Sequence, residues 1–219
     1  MKNSPQIKIC GLTNVDEALG CADLGANAIG LVFYPRSPRN VTEDQAKEIS
    51  TALPIDVKTV GVFVDETFSN IMRKAEHCRL DAVQLHGQES SGLVSKLRDE
   101  NLIVIKGLFM KRSPFLEDAA KYDASAFLVE CGKGTLPGGN AMSWNWEEAK
   151  DFGEKYPFIL AGGLSPDNVS RAIRESMPDA VDVSSGVESA PGRKDIHEAE
   201  AFVNAVLECD LSKKIRKIF

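Results

Sequence analysis

Short apolar runs alternate with amphipathic segments along the whole of this chain, and that alternation leaves few folds open. The runs lie at 7–10, 28–33, 58–64, 82–86, 102–107, 125–130, 157–161 and 180–183. Near-continuous apolar runs of this length suit strands buried on both faces, as in parallel sheets. Helix-start signals stand between them. Asn14 precedes Glu17, Thr42 precedes Gln45 and Asp195 precedes Glu198 at capping-box spacing. Ser113-Pro114 and Ser165-Pro166 read as a serine cap followed by proline at the first helical position. Eight strand-helix units in 219 residues leave about 27 residues each, near the lower limit for an eightfold barrel. No interior linker is long enough to divide the chain. Residues 1–219 are therefore expected to form a single-domain (β/α)8 barrel.

A two-unit repeat points the same way. Odd-numbered runs end in a glycine followed by an apolar residue, at Gly11, Gly61, Gly107 and Gly162, spaced 50, 46 and 55 residues apart. Even-numbered runs begin with a small polar residue and alanine: Asn27-Ala28, Asp81-Ala82, Ser125-Ala126 and Asp179-Ala180. Four repeats of two strands fit a closed barrel whose alternate strands supply alternate interior layers. A doubly wound open sheet is the other arrangement of such units, but the glycine-rich dinucleotide turn that often follows its first strand is absent.

Composition narrows the function. A net charge of −6 argues against a nucleic-acid partner. The cluster Lys213, Lys214, Arg216 and Lys217 reads as a solvated tail or helix end. Five scattered cysteines without a CxxC pair suit free thiols in a reducing compartment. The first residues lack an apolar leader and no run reaches membrane-spanning length, so a cytoplasmic protein is expected. Three histidines, none at ligand spacing, argue against a metal site.

In a parallel barrel the chemistry gathers at the carboxyl ends of the strands. Those ends carry Cys10, then Arg36 and Arg39, Gln84 and His86, Lys106, Glu130, Gly162-Gly163, and Asp182 with Ser184-Ser185-Gly186. The last two turns follow consecutive strands. Glycines admit an anion close to the backbone and serines add donors, so Gly162, Gly163, Ser184, Ser185 and Gly186 are the expected phosphate site. Glu130 ends an apolar strand and must be paired, with Lys106 or Lys133, or used. Asp182, between Val181 and Val183, faces away from both, toward substrate or into a polar interior layer held by an ion pair. Cys10 stands before a helix start and near cations, which lower a thiol's pKa; Cys21 and Cys209 read as small core residues. His77 and His197 read as surface residues. The stretch from Gly132 to Gly139 is long for a βα loop and suits a lid.

These residues resemble the phosphoribosylanthranilate isomerase family along nearly the whole chain. The resemblance rests on Lys8–Asn14, Phe33–Arg39, Gly61–Val64, Gln84–Gly87, Ala161–Leu164 and Asp182–Glu188. It implies a barrel enzyme without cofactor or metal. The implied reaction is the Amadori rearrangement of N-(5-phosphoribosyl)anthranilate to the 1-deoxyribulose 5-phosphate. It implies Cys10 as general base and, as general acid, Glu130, where the family usually carries aspartate. It implies Arg39 for the anthranilate carboxylate and Asp182, Gln84 and His86 as substrate contacts. The lid stretch also departs, with Gly138-Gly139-Asn140-Ala141 where Gly-Gly-Ser/Thr-Gly is usual. The phosphosugar partner is a small molecule, and a monomer and a homodimer both remain open. Two other readings stand beside this one. A dual-substrate or other phosphosugar isomerase shares the barrel, although the related histidine-pathway isomerase generally uses two aspartates rather than a thiol. A non-catalytic phosphosugar-binding homologue shares the fold without the activity.

Overall fold

The computed structural model of the chain describes residues 3–132 and 144–219. The lid stretch therefore lies, beyond Gly132, outside the described residues, as does Lys133. Eight parallel strands close in sequence order: β1 (Gln6–Cys10), β2 (Ala28–Phe33), β3 (Lys58–Phe63), β4 (Ala82–Leu85), β5 (Ile103–Phe109), β6 (Ala126–Glu130), β7 (Phe158–Leu160) and β8 (Ala180–Val183). Each begins and ends within two residues of an apolar run, and β8 pairs with β1 to seal the barrel. Around it lie α1 (Val15–Asp23), α2 (Glu43–Ala52), α3 (Phe68–His77), α4 (Ser91–Asp99), α5 (Lys150–Lys155), α6 (Val169–Ser176) and α7 (Ile196–Leu207). Between β5 and β6 the described helix is a 3-10 turn, Leu116–Lys121. An antiparallel ribbon of β9 (Glu188–Ala190) and β10 (Arg193–Lys194) follows β8.

The caps explain where helices begin. Asn14 accepts the Glu17 N–H at 2.9 Å, and Thr42 with Gln45 closes a reciprocal box. Asp195 accepts the His197 N–H at 2.9 Å. The Glu17 carboxylate does not turn back on its own helix; it takes the Arg193 Nε and the Lys194 N–H, both at 2.8 Å, and ties α1 to the ribbon. Neither Ser-Pro pair caps a helix. Ser113-Pro114 is a cis peptide in the loop after β5, where the Pro114 carbonyl accepts the Phe109 N–H at 2.9 Å. Ser165 donates its N–H to Asn168 Oδ1 at 2.9 Å, forming a turn that delays α6 to Val169.

The sequence repeat has a structural meaning. The polar residue before each even strand binds an N–H near the start of the preceding odd strand. Asn27 takes Ile7 N–H at 2.7 Å, Asp81 takes Thr59 at 2.9 Å, Ser125 takes Val104 at 2.9 Å and Asp179 takes Phe158 at 3.1 Å. The alanine that follows turns inward: Ala28, Ala82, Ala126 and Ala180 pack with Val60, Ile105 and Ile159 inside the barrel. Small side chains there leave room for larger ones from the odd strands, as alternating layers require.

This inner core also receives the end of the chain. Ile218 and Phe219 are buried against it, and their N–H groups donate to Gln6 Oε1 at 3.0 and 2.9 Å. The basic tail is thus not simply solvated. Arg216 binds the fully buried Asp179, with Nη2 to Oδ2 at 2.6 Å, and Lys213 reaches Asp179 Oδ1 at 3.1 Å; only Lys214 and Lys217 are exposed. A buried carboxylate beneath the tail draws in the cations that charge alone would leave in water.

Candidate active site

Side-chain alternation places the chemistry. Ala28 and Ala126 face the lumen, and so do residues two further along or at the same register on neighbouring strands. Lys8 and Cys10 on β1, Gln84 on β4, Leu128 and Glu130 on β6 and Asp182 on β8 share that inward face. Cys10 and Glu130 both end their strands, so sulfur and carboxyl stand at the same mouth of the barrel. Both are 7% exposed, open enough to meet a ligand and closed enough to be shielded from bulk water. Gly30 lies beside Cys10, and a Cβ there would sit 2.6 Å from the sulfur; its absence makes room for the thiol.

Asp182 is held by Lys8, whose ammonium donates to Oδ1 at 2.7 Å. This is the polar interior layer expected as an alternative for Asp182, and it leaves the second carboxylate oxygen without a described ion-pair partner. Burial pushes the Cys10 thiol up, against the pull of Lys8 and Lys194. The cations expected around Cys10 are present, but desolvation outweighs them. Cys21 is pushed up to about 11 by burial in α1, as a core thiol should be.

Glu130 does not pair with Lys106. Lys106 points to the opposite side of β5 from Ile105 and donates to Glu89, Gly87 O and Leu85 O at 2.8, 2.8 and 3.2 Å. Its task is to bind the turn after β4. The Glu130 neighbour is His86, whose Nε2 lies 3.4 Å from Oε1, while His86 Nδ1 lies 3.2 Å from Gln84 Nε2. The three residues form a continuous polar chain on the wall of the mouth, and Gln84 Oε1 is buried with no partner among the described residues.

Arg39 is brought to the same end. Its guanidinium grips Glu188 through two bonds of 2.7 Å, and Lys194 adds a third at 2.8 Å to the same carboxylate. Arg36 is exposed. The two glycine turns meet directly. Gly162 and Gly163 take φ of +88° and +71°, and a Cβ on Gly186 would lie 1.9 Å from the Leu164 carbonyl oxygen. Only a glycine at 186 lets Ser184–Gly186 close on the turn after β7, so the two turns lie in contact. Lys194 braces the second by donating to Ser184 O at 3.0 Å.

Known proteins match the chain along nearly its whole length. The family model described as N-(5'phosphoribosyl)anthranilate (PRA) isomerase matches residues 7–205. The isomerase of that name from Desulfatibacillum aliphaticivorans is 50% identical over 98% of this chain and 98% of its own. The crystal structure of phosphoribosyl anthranilate isomerase from Thermotoga maritima superposes with a TM-score of 0.87 at 37% identity, covering 94% of this chain and 100% of that one. The chain belongs to the phosphoribosylanthranilate isomerase family. A further structure of such an isomerase, in complex with reduced 1-(o-carboxyphenylamino)-1-deoxyribulose 5-phosphate, superposes with a TM-score of 0.83 at 36% identity over 94% of this chain and 100% of that one.

Three charged residues that the sequence reading gave no role, Lys8, Glu188 and Lys194, stand among these side chains. Lys8 carried a signal, since it precedes Cys10 by two residues on a strand. The contacts of Glu188 with Arg39 and of Lys194 with Glu188 had no local signal, because they form only once β9 and β10 fold back beside the loop after β2. Among the described residues, no helix is long and apolar enough to cross a membrane.

Proposed function

We propose that this isomerase performs the Amadori rearrangement of N-(5-phosphoribosyl)anthranilate, with Glu130 as general acid and Cys10 as general base. Glu130 gives a proton to the furanose ring oxygen, the C1–O bond breaks, and the anthranilate nitrogen supplies the electron pair of an iminium. Cys10 as thiolate takes the C2 proton; the C–H pair becomes the C1–C2 double bond and the iminium nitrogen regains its pair. The enolamine then becomes the ketone, gaining a proton at C1 as the C2 hydroxyl loses one. The iminium acidifies the C2 proton, so the base need only be well placed. The turns at Gly162-Gly163 and Ser184-Ser185-Gly186 hold the phosphate. Arg39 meets the anthranilate carboxylate, the Glu188 carboxylate holding its guanidinium in place. Asp182, His86 and the free oxygen of Gln84 take sugar hydroxyls. The free thiols support a cytoplasmic setting.

The observation that carries this reading is the shared end of β1 and β6: Cys10 and Glu130 finish inward-facing strand positions beside the paired turns. Fresh phosphoribosylanthranilate, followed by loss of its fluorescence, tests it. Wild-type protein is expected to turn over and Cys10→Ala to lose at least about 100-fold in kcat with an unchanged circular dichroism spectrum. Full activity in Cys10→Ala would remove the thiol from the mechanism, and an inert wild type would leave the binding-protein reading in its place.

A further inference from the structure

Lys8 has no role in the steps above, yet its charge is sealed from water beside the site. It is 0% exposed and donates to Asp182 Oδ1 at 2.7 Å from the adjoining strand, where the two are register partners. An ammonium sealed from water persists only where its charge is answered. Burial pulls Lys8 down, but Asp182 and Cys10 more than offset it and the pKa is raised, so the side chain keeps its proton through the neutral range.

Lys8 stands two residues before Cys10 on the same inward face of β1, so the two side chains are neighbours along the strand; with Asp182 from β8, Lys194 from β10 and Arg39 from the loop after β2 it acts on the sulfur. After burial, which opposes the thiolate, Lys8 is the strongest influence and favours it; Asp182 opposes it more weakly and Lys194 favours it less. Glu188 is engaged with Arg39 and Lys194. Lys8, Arg39 and Lys194 therefore face Asp182 and Glu188, three cations against two carboxylates, around a thiol that burial pushes up.

We propose that Lys8 is a positioning residue for proton abstraction, holding a fixed positive charge beside the Cys10 sulfur so that the thiolate forms and is restored in each turnover. The thiol first releases its proton to water. The thiolate takes the C2 proton as written above, and the resulting thiol returns a proton to C1 when the enolamine becomes the ketone. Asp182 keeps the ammonium from swinging away from the sulfur. This role rests on Cys10 being the base.

The test compares Lys8→Met, which removes the charge at similar length, with Lys8→Arg, which keeps it. Thiolate formation at Cys10 is read in ligand-free protein as ultraviolet thiolate absorbance against pH, with Cys10→Ser subtracted. In Lys8→Met the midpoint is expected to move up by at least about one pH unit, and kcat to fall about 100-fold while KM changes by less than about threefold. Lys8→Arg is expected to recover most of the midpoint. A folded Lys8→Met with an unmoved midpoint overturns the proposal. Should that variant fail to fold, because Asp182 is left buried and unpaired, the double variant Lys8→Met with Asp182→Asn removes both charges. Its midpoint must still lie above that of the wild type, and an unmoved one overturns the proposal equally. Full turnover by Cys10→Ser would instead dismiss Cys10 as base and Lys8 with it, whereas an inert Cys10→Ser with an unmoved Lys8→Met midpoint dismisses Lys8 alone.

Discussion

Glu130 carries its carboxyl one methylene further from the strand than an aspartate would, and its surroundings accept that reach. Gly162 leaves its flank open, a Cβ there approaching the Glu130 Cβ to 3.3 Å, and His86 Nε2 meets Oε1 at 3.4 Å. The carboxyl is therefore placed by the strand behind it and the imidazole beside it. Shortening and neutralising the side chain should have different consequences. Glu130→Asp keeps an acid and misplaces it by about one C–C bond, so a loss of roughly 10-fold to 100-fold in kcat is expected. Glu130→Gln keeps the length and removes the proton, and about 10³-fold is expected. Steady-state kcat for the two variants checks the order; a glutamine variant as active as the aspartate one would transfer the acid's role to another group, with His86 the nearest.

The elements divide the labour between the two ends of the barrel. At the amino end, the polar residue before each even strand secures the preceding odd strand, a bond worth about 1 kcal/mol each by the usual net value. At the carboxyl end, the turns after β7 and β8 touch so closely that Gly186 has no room for a side chain. Gly186→Ala must part these turns. Inorganic phosphate is expected to raise the wild-type melting temperature by binding the folded state alone, and Gly186→Ala to lose most of that shift and to raise KM. Thermal melts in a phosphate series, and KM for both proteins, check this; an equal shift in the variant would place phosphate elsewhere. Much of this division was legible beforehand. The strands could be read because burial on both faces writes an apolar run, and Cys10, Glu130 and the glycine turns because strand ends are marked by where those runs stop. His86 could be read as a strand-end residue, but its contact with Glu130 depends on how β4 and β6 face each other across β5. Glu188 and Lys194 depend on a ribbon folding back beside the loop after β2, which local patterns do not encode. The Ser-Pro pairs misled because a serine followed by proline suits many turns besides a helix start.

Taken whole, the molecule is polarised: titratable chemistry crowds one mouth of the barrel and the chain's own end occupies the other. Ile218 and Phe219 enter the inner core, Gln6 accepts their N–H groups, and Arg216 reaches across to Asp179, Gly153 O and Tyr156 O. Asp179 serves twice, binding the Phe158 N–H as one of the four strand latches and receiving Arg216 and Lys213 from the tail. Burial raises its pKa, but Arg216 and Lys213 more than reverse that and hold the carboxyl below its ordinary value of 3.8. A depressed carboxylate contributes stability that is present above the unfolded-state pKa and lost as pH falls through the folded-state one. The wild type is therefore expected to hold its melting temperature down to about pH 4, near the pKa of an unperturbed aspartate, and to weaken below it. Arg216→Ala removes the main partner of a buried charge, a change that costs about 3 kcal/mol or somewhat more. It also lets the Asp179 pKa rise toward or above that of the unfolded chain, so the loss of stability on acidification should be smaller in the variant than in the wild type. Thermal melts of both proteins across an acid series read the two effects together. Because the mouth that carries Cys10 and Glu130 lies at the opposite end, kcat at a temperature where both remain folded should be unchanged within about twofold, the expectation for a structural tie remote from the reacting atoms. A variant whose melting temperature and acid profile both matched the wild type would show that the tail merely rests against the barrel.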